Sequence, residues 1–187
     1  MIISFIGPSG SGKGTQAFML SDDFVSISGG KILRNMYNDK SKEGIDLYNK
    51  YWSKGLWVPD DIISRLVLTE INFKSPNILF DAFPRTLSQA IILDNFLKSN
   101  GKELSFIFEF LIKTDNILER IKTRGKTESR VDDLSLKSVE KRLDSYITNI
   151  KDIREYYNEK LIQIDANNTK EVILRTILSI IENESKK

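Results

Sequence analysis

Residues 7–15 read Gly-Pro-Ser-Gly-Ser-Gly-Lys-Gly-Thr, directly behind the apolar run Ile2-Ile3-Ser4-Phe5-Ile6. No other stretch of the chain restricts its fold as tightly. Gly7, Gly12 and Lys13 satisfy the spacing G-x-x-x-x-G-K, and a hydroxyl follows at Thr15 after one extra glycine. Glycines let the backbone turn so that successive N–H groups converge on an anion. A helix starting near Lys13 aims its positive dipole end at the same point. Lys13 adds a mobile charge, and Thr15 adds an oxygen suited to Mg²⁺. A Gly-rich connection without a ligand would also explain the turn. Motif, preceding strand and following helix together favour a phosphate-binding loop.

The rest of the chain alternates apolar runs with helical patterns, which predicts an α/β fold around a parallel sheet. Strands are expected at Ile2–Ile6, Phe24–Ile27, Asn77–Asp81, Leu104–Ile112 and Leu161–Asp165. Helices are expected to start near Lys13, Gly30, Asp60, Thr86, Thr114, Ser138 and Thr169. Val139, Leu143, Tyr146, Ile150, Ile153 and Tyr157 recur at helical spacing, which predicts a core-facing stripe. A length of 187 residues fits one domain. Two polar segments read as inserts, 28–58 and 124–133, leaving a core of 1–27, 59–123 and 134–187.

Composition narrows the chemistry. The 28 basic and 26 acidic side chains leave a net charge of +2, too balanced to point to nucleic acid or an anionic membrane as main partner. The longest apolar run, Phe106 to Ile112, is broken by Glu109 and falls short of the ~18 residues that span a bilayer. No basic region followed by a long apolar stretch opens the sequence, so no secretory signal is expected. Cysteine and histidine are both absent, which excludes disulfides, thiol nucleophiles, histidine bases and a Cys/His zinc site. Lysine, arginine, carboxylates, hydroxyls and backbone N–H groups remain. Phosphoryl transfer, which depends on positioning and charge stabilisation, suits that set.

Further constellations extend the loop into a site. Asn77-Ile78-Leu79-Phe80-Asp81 is an apolar strand ending in a carboxylate, the place from which an aspartate holds Mg²⁺ through water beside a phosphate loop. Pro84 fixes the backbone just past that strand end, where α/β ligands bind, and Arg85 follows with a fork suited to phosphate. Thr86-x-x-Gln89 has the spacing of a capping box, so Gln89 either bonds the helix terminus or reads a ligand. Gly29 and Gly30 precede a helix on which Arg34 lies about one turn later; by itself Arg34 reads equally as a solvated arginine. Arg124, Arg130 and Arg142 gather around the second polar segment, where a polyphosphate clamp and a solvated charged face are both open.

Taken in order, these blocks resemble the nucleoside monophosphate kinases, adenylate kinases most closely, over nearly the whole chain. The matching stretches are Gly7-x-x-Gly10-x-Gly12-Lys13-Gly14-Thr15-Gln16, Ile32-Leu33-Arg34, Val58-Pro59-Asp60, Asp81-x-Phe83-Pro84-Arg85-Thr86 with Gln89, and Arg124…Arg130-Val131-Asp132-Asp133…Arg142. The resemblance implies a P-loop five-stranded parallel sheet flanked by helices. It implies transfer of the terminal phosphate of Mg·ATP to AMP, giving two ADP, in adenine nucleotide homeostasis. It implies that Gly10, Ser11, Gly12, Lys13, Gly14 and Thr15 bind ATP phosphates, with Arg124 and Asn168 also on the ATP side. Lys13, Arg85, Arg124, Arg130 and Arg142 would stabilise the group in flight. Gly29, Arg34, Trp57, Val58, Ala82, Arg85, Gln89, Arg130 and Arg142 would bind AMP, with Gln89 reading adenine. Thr15 and Asp81 would hold Mg²⁺, Asp81 through water. Residues 28–58 would form the acceptor-binding insert and 124–133 a short lid, with no structural zinc. A monomer is what the same likeness implies, and the expected cytoplasmic location is compatible with the absence of cysteine.

The chain departs from that pattern at three places. Ser28-Gly29-Gly30-Lys31 stands where the family usually has Ser-Thr-Gly-Asp, Ala82 replaces a glycine, and Glu128-Ser129 precedes Arg130 where Ser-Gly is usual. These changes touch the acceptor half. They keep open a kinase acting on CMP, UMP or another monophosphate, and an ATP-binding regulator with a degraded acceptor site. A GTPase lacks support, since no Asn-Lys-x-Asp stretch occurs.

Overall fold

The computed structural model describes residues 1–113, 117, 120–121 and 136–184. Strand β1 (Ile2–Ile6) is buried along its whole length, as a strand covered on both faces must be. Its side chains alternate: Ile2 and Ile6 enter one hydrophobic cluster, Ile3 and Phe5 the other. β2 (Val25–Ser28), β3 (Ile78–Asp81), β4 (Phe106–Leu111) and β5 (Leu161–Asp165) complete a five-stranded sheet of order β2-β3-β1-β4-β5. Every pairing is parallel, with Phe5 beside Asp81 and beside Phe108. The expected α/β class therefore holds.

Helices α1 (Lys13–Met19), α4 (Asp60–Thr69), α5 (Leu87–Ser99), α6 (Leu136–Tyr156) and α7 (Lys170–Glu184) cover the sheet. On one face Phe80, Leu93, Leu97, Ile107, Ile150 and Ile153 form the core; on the other Ile3, Phe5, Phe108, Phe110, Ile173 and Ile177 do so. Val139, Ile150, Ile153 and Tyr157 are buried as the stripe on α6 requires, with Tyr157 one residue past the helix end. From β1 the chain runs out to the edge strand β2, returns through β3, and crosses to β4 on the far side of β1. That reversal opens a crevice at the carboxyl end of β1, where α/β sheets bind ligands.

The first polar segment holds two helices, α2 (Gly29–Asn38) and α3 (Lys42–Lys50), and a short 3₁₀ turn at Trp52–Lys54. The sequence pattern suggested a single start near Gly30. Lys40 at φ 55 breaks the run, and the Ser41 hydroxyl caps α3 by accepting from Gly44 N–H at 3.0 Å. A Cβ on Gly44 would lie 2.4 Å from the Met36 carbonyl carbon, so this crossing admits no side chain there. Tyr48 meets the tilted ring of Tyr37 at 4.2 Å and Trp52 edge-to-face at 5.9 Å between centroids, which ties the pieces together. Elsewhere the differences are small: β4 starts at Phe106 rather than Leu104, and α6 is described from Leu136, two residues before the expected Ser138. The helix expected near Thr114 is described only at Ile117, Arg120 and Ile121, and the segment 124–133 lies outside the described residues. Among the described residues no helix is long and apolar enough to cross a membrane.

Candidate active site

The loop after β1 ends at Gly12, whose φ of 95 is the conformation glycine adopts most cheaply, and α1 starts on the next residue. No side chain caps α1, so its first-turn N–H groups remain available to an anion. Lys13 is buried. Its Nζ donates to the carbonyls of Gly7 and Pro8, each at 2.8 Å, and to Ser11 Oγ at 3.0 Å. The ammonium is thus held within the turn of the loop, with Ser11 behind it.

This loop forms one wall of a cleft of about 1170 Å³, larger than the usual pocket for one small ligand. Gly10, Gly12, Lys13, Gly14, Thr15 and Asn168 line its loop side. Gly29, Arg34, Trp57, Val58, Ala82, Arg85 and Gln89 line the same cleft, as do Asp81 and Arg142. The structure therefore brings together the expected site residues that it describes, with Ser11 just beneath. Arg124 and Arg130 lie outside the described residues.

The lining is electrostatically one-sided. Among the described residues it holds seven cations (Lys13, Lys31, Arg34, Arg85, Arg120, Arg142 and Lys170) against the single carboxylate of Asp81. The chain as a whole is nearly neutral at +2, so the cations are gathered here. Walls of low dielectric strengthen such a field and favour polyanions.

Asp81 ends β3 beside Phe5, and its Oδ2 lies 3.7 Å from where a Cβ on Gly14 would sit. The next residues turn sharply. Ala82 takes φ 59 and donates its N–H to Phe5 O at 2.9 Å, and the Phe83–Pro84 peptide is cis. Ser4 Oγ donates to Phe83 O at 2.5 Å, anchoring the turn to the central strand. Arg85 then folds back: its Nε donates to Ala82 O at 2.8 Å, and its guanidinium stands over Trp57, 5.6 Å from the ring centre.

Gln89 is buried. Thr86 Oγ1 accepts from Gln89 N–H at 3.1 Å, the cap that the Thr86-x-x-Gln89 spacing suggested. The reciprocal half of the box differs, because Gln89 Oε1 accepts from Arg85 N–H at 2.8 Å and Nε2 donates to Asp60 Oδ1 at 2.6 Å. Gln89 thus takes part in the helix cap and lines the cleft at once.

On the insert, a Cβ on Gly30 would meet Arg34 Nη1 at 3.3 Å, so the Arg34 guanidinium folds over that glycine. A Cβ on Gly29 would meet Ile63 Cδ1 at 3.0 Å; the α4 side chain fills the space left by the absent one. At the loop side, Asp165 Oδ1 accepts from Asn167 N–H at 3.0 Å, which holds its carboxyl below the ordinary range, and Asn168 Nδ2 donates to Asp165 O at 3.3 Å.

Sequence reasoning missed Arg120. Its Nη2 donates to Ala166 O at 3.0 Å and its Nη1 to Ser11 O at 3.5 Å, and Nη1 lies 3.7 Å from a Cβ built on Gly12. The guanidinium therefore flanks the phosphate loop. A signal was present, because Arg120 precedes Arg124 by four residues, which on a helix puts both on one face.

Comparison with known proteins agrees with this geometry. The family described as adenylate kinase matches residues 5–162. The chain is 33% identical over 187 residues to an adenylate kinase of Azobacteroides pseudotrichonymphae, with 97% of each chain covered. It is 32% identical to an adenylate kinase of Flavobacterium psychrophilum, over 97% of this chain and 98% of that one. An adenylate kinase of Wolbachia pipientis wMel is 30% identical, with the same two shares covered. A phosphate loop, a cationic cleft at the sheet's reversal and these likenesses converge: the chain belongs to the adenylate kinase family of phosphotransferases.

Proposed function

We propose that this protein transfers the terminal phosphate of Mg·ATP to AMP, reversibly, giving two ADP. The observation that carries the reading is the concentration, among the described residues, of seven cations against one carboxylate in a cleft with room for two nucleotides. ATP phosphates lie on the backbone N–H groups of Gly10, Ser11, Gly12, Lys13, Gly14 and Thr15, with Asn168 and Arg124 on the same side and Arg120 added to them. Arg34, Arg85, Arg130 and Arg142 grip the acceptor phosphate. Gly29, Trp57, Val58, Ala82 and Gln89 meet its nucleoside.

No general base is needed. An alcohol acceptor loses a proton during attack, which commonly calls for one. A phosphate monoester is already largely ionised, with a second pKa of about 6. The protein has to align two anions and cancel their repulsion, which Lys13 and the arginines do in a site of low dielectric. Lys13, Arg85, Arg124, Arg130 and Arg142 stabilise the charge of the transferring group.

The donor set fits Mg²⁺: the Asp81 carboxylate approaches the space beside Gly14, and Thr15, which carries a hydroxyl, lines the same cleft. These two residues would hold the ion, Asp81 through water, and the ion would neutralise phosphate charge. The inserts 28–58 and 124–133 close over the nucleotides and exclude water. The protein works as a cytoplasmic monomer on small molecules, with neither nucleic acid nor membrane as partner.

A coupled assay across AMP, CMP, UMP, GMP and the deoxynucleotides tests the reading. AMP is expected to give the highest kcat/KM. Lys13→Met or Arg85→Ala is expected to lower turnover by about 10²-fold or more with the fold retained. A pyrimidine monophosphate as best acceptor, or ATP binding without transfer to any acceptor, would overturn it. Near-normal turnover in either variant would overturn the assigned roles.

A further inference from the structure

Gln89 is 2% exposed, and its side-chain amide has two fixed partners. Nε2 donates to Asp60 Oδ1 at 2.6 Å, and Oε1 accepts from the backbone N–H of Arg85 at 2.8 Å. The other carboxylate oxygen of Asp60 is engaged as well, accepting from Thr86 Oγ1 at 2.6 Å. A carboxylate oxygen accepts and a backbone N–H donates. Reversing the amide would set carbonyl oxygen against carboxylate and NH₂ against N–H. The partners therefore decide which end of the amide is which.

A primary amide has two N–H donors and two lone pairs. Asp60 takes one donor and Arg85 one lone pair. One of each is left, with the end that donates and the end that accepts both fixed, on a residue that lines the cleft.

We infer that Asp60 is a specificity-positioning residue: it locks the Gln89 amide so that the cleft offers acceptor beside donor in one order only. A 6-aminopurine edge, with an exocyclic N–H donor next to a ring nitrogen acceptor, matches that order. A 6-oxopurine, with an exocyclic oxygen next to a ring N–H, reverses both positions and meets oxygen with oxygen. The inference rests on the proposed reading that Gln89 faces the acceptor base, and it adds the residue that gives Gln89 its handedness. The plain alternative for Asp60, a first-turn acid favoured by the dipole of α4, is indifferent to the base.

AMP and inosine monophosphate separate the two, since they differ only on that edge. The measurement is the ratio of kcat/KM for AMP over inosine monophosphate in the unaltered protein, Asp60→Asn and Gln89→Ala. An amide at position 60 offers either N–H or C=O, so Gln89 is released from one of its two locks. Asp60→Asn is expected to lower the ratio about tenfold, mainly through KM for AMP. Gln89→Ala is expected to lower it at least as far. If Gln89→Ala leaves the ratio unchanged, the base-reading role fails and this inference with it. If Gln89→Ala lowers the ratio while Asp60→Asn weakens both acceptors equally, the inference alone is overturned. A measurement on the unaltered protein covers the case of a variant that does not fold. Of the two Gln89 Nε2 protons, the one on Asp60 is expected to be shifted downfield and slow to exchange in NMR spectra. Two equivalent, fast-exchanging protons would overturn the lock.

Discussion

The Arg85 guanidinium stands over the Trp57 ring, 5.6 Å from its centre. One residue comes from the turn after β3 and the other from the end of the insert, so the stack joins two elements that both line the cleft. Cation–π contacts of this kind contribute about 0.5–2 kcal/mol. Trp57→Leu keeps an apolar side chain and removes the ring's charge distribution. It is expected to raise KM for AMP about 3- to 30-fold while KM for ATP changes less than twofold. Steady-state kinetics with each substrate varied in turn checks this, and an equal rise for both substrates would refute it.

Ala82 carries a side chain at φ 59, a left-handed conformation that costs a non-glycine residue about 1 kcal/mol or more. Ala82→Gly is expected to stabilise the fold by about 0.5–1 kcal/mol, after allowing for the greater freedom of glycine in the unfolded chain. A thermal midpoint higher by about 1–3 °C is the expected readout. A lower midpoint would show that the methyl makes contacts worth more than the strain.

Glu109 is fully buried on β4 and, among the described residues, is held by three side chains. Arg154 donates to it through Nε at 2.9 Å and Nη2 at 2.7 Å, Tyr146 Oη at 2.8 Å and Gln163 Nε2 at 3.3 Å. The ionic hydrogen bond raises the Arg154 pKa, and burial followed by the Glu109 charge raises that of Tyr146. Arg154→Met removes the only cationic partner among these and is expected to cost about 3 kcal/mol in urea unfolding. The double variant Glu109→Gln/Arg154→Met is expected to lose less than the sum of the single losses. Strict additivity would mean that the pair does not couple.

Asp94 on α5 is half-buried and accepts from Tyr157 Oη at 3.0 Å. Burial raises its pKa above the ordinary 3.8, and the bonds from Tyr157 and Tyr156 offset only part of that. The folded state therefore keeps a proton that the unfolded chain releases. This contribution is fully present below pH 3.8 and is lost as pH rises through the higher folded value. Asp94→Asn cannot titrate, so its stability relative to the unaltered protein is expected to climb across that window and then level off. Urea midpoints between pH 3 and 7 test this. Parallel curves would contradict it.

Much of the fold was legible because its signals are local. Ile2–Ile6 and Asn77–Asp81 are continuous apolar runs, and the glycines and lysine of the loop define their own turn. Thr86 announced its helix cap. What escaped depends on partners distant in the chain. Nothing near Gln89 names Asp60, which lies 29 residues away. Glu109 reads as an interruption in an apolar run until Arg154, 45 residues on, is seen beside it. Arg120 reads as one more solvated helical charge until the fold sets it against Ser11. The split between α2 and α3 escaped because Lys40 reaches φ 55 without the glycine that usually marks such a bend.

Gly44 gives the insert a dependence that no inspection of the cleft would reveal. It lines no part of the binding surface, yet its missing side chain is what allows α3 to lie against the backbone of α2. Arg34 rides on α2, so the bearing of an arginine that lines the cleft is set from behind by a residue ten places downstream. A mutational survey confined to the walls of the cleft would overlook the hydrogen atom that keeps this arm of the enzyme in register.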